Sequence, residues 1–167
     1  MRKPLVILFC LALLTTLAAC NAPKRYEGNY AMTLGNYRDA VAAYQAELRE
    51  NPDSVNVLVR LGQAHYRLEE YTEALSAFQH VLDVQPGYPQ AEFYIGVIQI
   101  ARGQRQAGLA RLAEFRYPGK VYLTGEIRET AVTMQGWPDE SDDAITAAMF
   151  RAWDEGLEQE NAWRYRK

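Results

Sequence analysis

The stretch that decides the fold runs from Val55 to Tyr88: VNVLVRLGQAHYRLEEYTEALSAFQHVLDVQPGY. It holds two apolar periodic runs with three-to-four-residue spacing, the signature of paired amphipathic helices, and ends in Pro-Gly, which cannot continue a helix. Moving the chain by 34 residues superposes Gly28 on Gly62 and Gly96, and Tyr37 on Tyr71. The same step sets Ala40 on Ala74, Tyr44 on Phe78, and Pro52 on Pro86. A fixed period of this size identifies a solenoid, in which no unit buries its apolar face alone and each stabilises its neighbours. Each marker has a physical role. Two helices joined by a tight turn must cross closely, so Gly28, Gly62, Gly96, Ala40 and Ala74 stand where larger side chains would push the partner helix away. Tyr44 and Phe78 fill the layer between units, and Pro52 and Pro86 end them.

The units resemble tetratricopeptide repeats. The resemblance covers residues 21–118 and predicts an all-α fold: a right-handed solenoid of helical hairpins with about three repeats, 21–54, 55–88 and 89–118. In the third unit Gly108 replaces the expected Ala, Leu112 takes the aromatic place and Pro118 arrives two residues early, as in a repeat worn at the end of a stack. Its second helix is predicted near 105–116. From residue 119 to 167 the period stops. Leu123, Ile127, Ala131 and Met134 mark one further amphipathic helix from Val121 to Met134 that caps the stack. Gly136-Trp137-Pro138 breaks the chain. Ser141 or Asp142 then opens a final helix through Ile145, Met149, Ala152, Trp153 and Leu157. The acidic cluster from Asp139 to Asp143 lacks the alternating ligands and central Gly of a calcium loop and reads as a helix start. Arg164, Arg166 and Lys167 complement the dipole at the other end, as a solvated tail.

The 167 residues, 49% hydrophobic, suffice for one cored domain. With 18 basic and 21 acidic residues the formal charge is −3, and the dense cationic face that nucleic acid requires is missing. Residues 1–19 have the layout of a secretory signal: Arg2 and Lys3, the apolar run from Leu5 to Leu14, then small residues before Cys20. The run is shorter than the roughly 20 residues a membrane span needs. Leu17-Ala18-Ala19-Cys20 resembles the bacterial lipoprotein signature, which implies covalent diacylglycerol and an N-acyl lipid on Cys20 and a membrane held through that anchor. The alternative is an ordinary signal cut near Ala19, with Cys20 a free thiol. Cys10 leaves with the signal, so one cysteine would remain and no internal disulfide could form. Loss of Arg2 and Lys3 moves the formal charge from −3 to −5. Asn21, where the enterobacterial pattern places Asp for inner-membrane retention, implies an outer-membrane lipoprotein facing the periplasm in an organism with two membranes.

No residues in the sequence form a reaction centre. His65 and His80 lack partners at metal-ligand spacing, so no metal is expected. Nucleophile elbow, phosphate loop and nucleotide fingerprint are missing, and the expectation is a protein that is not an enzyme and carries no cofactor beyond its lipid. The family resemblance implies that the first helix of each unit lines a concave protein-binding groove. This assigns Arg25, Asn29 and Met32 from the first unit, Val59, Arg60, Gln63, Tyr66 and Arg67 from the second, and Phe93, Val97 and Ile100 from the third. Aromatic and Arg side chains are common interface anchors, while packing against neighbouring helices is the other role open to Tyr66, Phe93 and Ile100. Arg25 and Asn29 match two positions of a peptide-carboxylate clamp, but Gln90 and Tyr94 stand where its third unit would be basic. The expectation is a lipid-anchored adaptor that binds a peptide or helix of an envelope protein, similar to pilotin-like lipoproteins, in a groove that is open or occupied by the terminal helix. The alternative is a self-assembling envelope protein associating through a tail that holds Trp137, Trp153 and Trp163.

Overall fold

The computed structural model describes residues 24–165, with side chains from residue 27 onward. The signal segment, Cys20, Arg166 and Lys167 lie outside them. The described residues are helical, without strands: α1 (Lys24–Thr33), α2 (Tyr37–Leu48), α3 (Val55–Arg67), α4 (Tyr71–Val84), α5 (Pro89–Ala101), α6 (Arg105–Ala113), α7 (Val121–Gln135) and α8 (Asp142–Arg164). Each odd-numbered helix pairs with the next, and α2, α4 and α6 pack on the first helix of the following hairpin. This is a helical solenoid with the tight turns and helix ends that the 34-residue period predicts. The second helix of the third unit ends at Ala113 rather than near 116.

Within a hairpin the repeat glycine sits under the large side chain sixteen residues on. A Cβ on Gly28 would lie 2.6 Å from the Tyr44 ring, on Gly62 2.7 Å from Phe78, and on Gly96 2.7 Å from Leu112. The covered side chains then join clusters that span units. Tyr44 packs with Val57, Leu61 and Ala64 of α3; Phe78 with Ala91, Ile95 and Ile98 of α5. Phe78 has no exposed surface, which contributes about 1.5–3 kcal/mol to holding the second and third units together. A third cluster joins α5 and α6 to α7 and α8 through Leu112, Leu123, Ile127, Ile145 and Met149.

One periodic position is invisible in composition. The turn inside each hairpin places residues 35, 69 and 103 in the left-handed region: Gly35 at φ 75°, Glu69 at 59° and Gly103 at 75°. Two of the three are the residue such a turn favours; Glu69 carries a Cβ there at a cost of about 1–2 kcal/mol. Glu69→Gly regains that and gives back about 0.5–1 kcal/mol of unfolded-state entropy. A net stabilisation of about 0.5 kcal/mol is expected in urea unfolding, and a loss of stability would contradict the turn geometry.

The final hairpin departs from the repeat. Ser141 Oγ accepts from Ala144 N at 3.1 Å and caps α8. Arg105 of α6 donates through Nε to Asp142 at 2.7 Å and through its other nitrogens to the carbonyls of Pro138 and Glu140. The acidic cluster is thus a helix start clamped by one guanidinium, and among the described residues no three His, Cys, Asp or Glu side chains converge as metal ligands. From there α8 runs back along α7, with Gly156 against the backbone of Leu123, and also packs on α5.

Candidate protein-binding cleft

The first helices of the second and third units, α3 and α5, form the inner face on which a partner was predicted to lie. At the third unit that face is filled by α8. Phe93 is 1% exposed, with its ring centroid 4.6 Å from Trp153 and 5.4 Å from Phe150. Val97 and Ile100 have no exposed surface and belong to the same cluster. Of the eleven residues assigned to the groove, these three are packed in the core, Phe93 beneath the terminal helix and Ile100 against Gly108 of α6.

Further along α3 the face opens into a cleft of about 320 Å³, lined by Tyr66, Arg67, Tyr71, Tyr94, Ala101, Asp143, Thr146, Ala147 and Phe150. Tyr66 is its centre. Its ring stands 5.5 Å from both Tyr94 and Phe150 and 5.9 Å from Tyr71, in edge-on and tilted contacts that favour aromatic pairs. Burial pushes the Tyr66 phenol well above the ordinary range, with the Tyr71 and Tyr94 phenols adding to it. Burial likewise raises Tyr94, against a hydrogen bond with Gln63. The phenols stay neutral at any physiological pH, so the charges at the cleft are those of Arg67 and Asp143.

Arg67 is held in place. Its Nε and Nη2 donate to the Tyr37 hydroxyl at 3.0 and 2.8 Å, and its guanidinium carbon lies 5.2 Å from the centre of that ring. Hydrogen bonding and cation–π attraction together link the second unit to the first. Toward the first unit, Tyr44 donates to Asn29 Oδ1 at 2.9 Å and Arg60 sits beside the same hydroxyl. Arg60 is exposed, Met32 is half-buried against the first cluster, and Val59 is buried between units. The side chain of Arg25 lies outside those described.

Asn29, Arg60, Gln63, Tyr66 and Arg67 therefore share one face, with Tyr66 and Arg67 in the cleft itself. Tyr71, Tyr94 and the α8 residues Asp143, Thr146, Ala147 and Phe150 complete it and were not assigned from sequence. Positions 143, 146, 147 and 150 fall on one helical face, a signal present in the sequence but secondary to the stronger apolar stripe of Ile145, Met149 and Ala152. The tryptophans do not form one surface. Trp153 packs on Phe93, whereas Trp137 and Trp163, 54% and 44% exposed, lie at opposite ends of the α7–α8 hairpin.

A family profile for the tetratricopeptide repeat matches residues 27–92 and 59–119, more than half of the chain. Photosystem I assembly protein Ycf3 of Acaryochloris marina is 33% identical over 89 residues, 53% of this chain and 51% of Ycf3. Superkiller complex protein 3 of Mus musculus is 31% identical over 84 residues, 50% of this chain and 5% of that protein. The chain thus spans about half the length of one relative and a small part of the other. Among solved structures, MamA superposes with a TM-score of 0.59 at 16% identity, over 92% of this chain and 86% of MamA. The TPR2B-domain:pHsp70 complex of yeast Sti1 superposes at 0.52 and 18% identity, over 79% of this chain and 94% of that one. At these identities the likeness concerns the fold.

Proposed function

The chain belongs to the tetratricopeptide repeat family, and from that premise we propose that it is a non-enzymatic adaptor whose α3–α5–α8 cleft captures a segment of another envelope protein. The supporting observation is the cleft: four neutral aromatic rings around an opening of about 320 Å³, flanked by one fixed cation and one carboxylate. Such a site suits a short extended or helical segment that inserts one apolar side chain among the rings and pairs polar groups with Arg67 and Asp143. Because α8 covers the inner face at the third unit, the bound segment is short and runs from the cleft toward Arg60 and Asn29. The TPR2B domain of yeast Sti1 in complex with pHsp70 is one instance of partner binding on this fold.

In the same reading the adaptor is held on a bacterial outer membrane, facing the periplasm, by diacylglycerol and an N-acyl chain on Cys20, and needs no metal or other cofactor. The Leu17-Ala18-Ala19-Cys20 signature behind the short apolar run carries that part.

Ala147 is exposed and lines the cleft, whereas Gln79 is exposed on α4. A photocrosslinking side chain at 147 in intact cells is expected to yield a discrete adduct, one at 79 none, and Arg60→Glu to reduce the adduct at least tenfold while leaving Tm within about 2 °C, since surface substitutions shift stability by about 0.5 kcal/mol. Equal labelling from both positions, or an adduct indifferent to Arg60→Glu, would remove the cleft as the docking site.

A further inference from the structure

At the end of the α7–α8 hairpin remote from Trp137, the last turn of α8 meets the first turn of α7. Glu160, 4% exposed, accepts from Tyr122 N at 3.0 Å and fixes that meeting. Around it stand Val121, Tyr122, Trp163 and Tyr165, exposed by 76%, 40%, 44% and 89%. Lys120 precedes this first turn and Arg164 closes the last one. Of the carboxylates at this junction, Glu160 is buried and engaged by the α7 backbone and Glu126 of α7 accepts from Gln159 at 2.7 Å, which leaves Glu158 exposed.

Scattered exposed apolar residues are ordinary. A Trp, two Tyr and a Val gathered with cations at one tip of a chain that is acidic overall are a different matter. Trp and Tyr rings, apolar in body and polar at one edge, partition to the headgroup level of a bilayer, and Lys and Arg beside them are drawn to anionic lipid. A peptide-binding pocket would be concave, whereas this tip is built from the first turn of α7 and the last turn of α8. The geometry points to a membrane-contacting surface: Val121, Tyr122, Trp163 and Tyr165 dip into the interface of an anionic bilayer while Lys120 and Arg164 pair with its phosphates. The contact is independent of the cleft. Beside any chain on Cys20 it supplies a second membrane signal, and it fixes which way the solenoid faces.

The test is tryptophan quenching in the full chain, reconstituted with vesicles of phosphatidylethanolamine and phosphatidylglycerol that carry doxyl-labelled lipid. Trp153, packed on Phe93, gives a constant background. The lipid-quenched emission is expected to disappear in Trp163→Phe, to persist in Trp137→Phe, and to fall severalfold in purely phosphatidylcholine vesicles or in Lys120→Glu/Arg164→Glu. Emission indifferent to the doxyl lipid, or quenching unchanged in Trp163→Phe, would overturn the assignment. So would a vesicle-free dimer in ultracentrifugation that Trp163→Ser dissolves, which would give the tip to a second copy of the chain. Failure of this test leaves the crosslink at Ala147 untouched, so the two readings stand or fall separately.

Discussion

Gly108→Ala is expected to lower the melting temperature by about 6–12 °C, the shift that corresponds to roughly 3 kcal/mol in a chain of this size. The added Cβ would lie 2.4 Å from the carbonyl oxygen of Gly96, 2.6 Å from Ile100 Cγ1 and 3.0 Å from Ile100 N. Two of those three neighbours are backbone, which cannot rotate aside; relief requires α6 to move off α5. Helix propensity alone points the other way, since Ala is preferred to Gly in a helix by about 1 kcal/mol. Gly125 in α7 is the control. A Cβ there meets nothing within 4 Å, so Gly125→Ala should raise the melting temperature by about 2–4 °C. If thermal unfolding shows Gly108→Ala at or above the parent protein, α5 and α6 are not as close as described.

The same glycine illustrates what could be read in advance. The 34-residue period places Gly28, Gly62, Gly96, Ala40 and Ala74 at helix crossings because close packing is local and repeats with each hairpin. Gly108, in phase with Ala40 and Ala74, reads in the sequence as wear in a terminal repeat. In the structure it marks a crossing tighter than the other two, where even a methyl group does not fit. A distance of that kind depends on how closely α5 and α6 cross in three dimensions, which no local pattern records. Glu69 shows the converse: the period names its position, yet only backbone geometry reveals that the position requires positive φ.

The inner face was legible only in part for a related reason. Apolar and aromatic residues on a first helix look alike in sequence whether they wait for a partner or pack under another part of the same chain. Phe93 and Trp153 are sixty positions apart and outside any period, so their contact leaves no mark in the sequence. The second helix of a regular unit would stack outside the first; α8 instead turns inward over α5. Its inward face, Phe150 and Trp153, became distinguishable from its α7 face, Ile145, Met149 and Ala152, only once both neighbours were in place.

Phe93→Ala separates these roles with the largest effect expected of any substitution considered. A groove residue that waits for a partner could be truncated with little change in stability and a large loss of capture. Phe93 instead stands among Tyr94, Phe115, Phe150 and Trp153, at centroid distances of 5.7, 6.3, 5.4 and 4.6 Å. Deleting its ring leaves a cavity between α5 and α8 and should cost about 3–5 kcal/mol. The loss is directional: α8 is held on α5 by these rings, so protease sensitivity should rise first between Trp137 and Ser141, where the chain turns into α8, while α1 to α4 remain protected. A cycle with Trp153→Ala supplies the pairwise part, expected at about 0.5–1.5 kcal/mol beyond additivity. Denaturant unfolding that finds Phe93→Ala within about 0.5 kcal/mol of the parent chain would mean that α8 does not cover the third unit, and the inner face would then be open to a partner along its whole length.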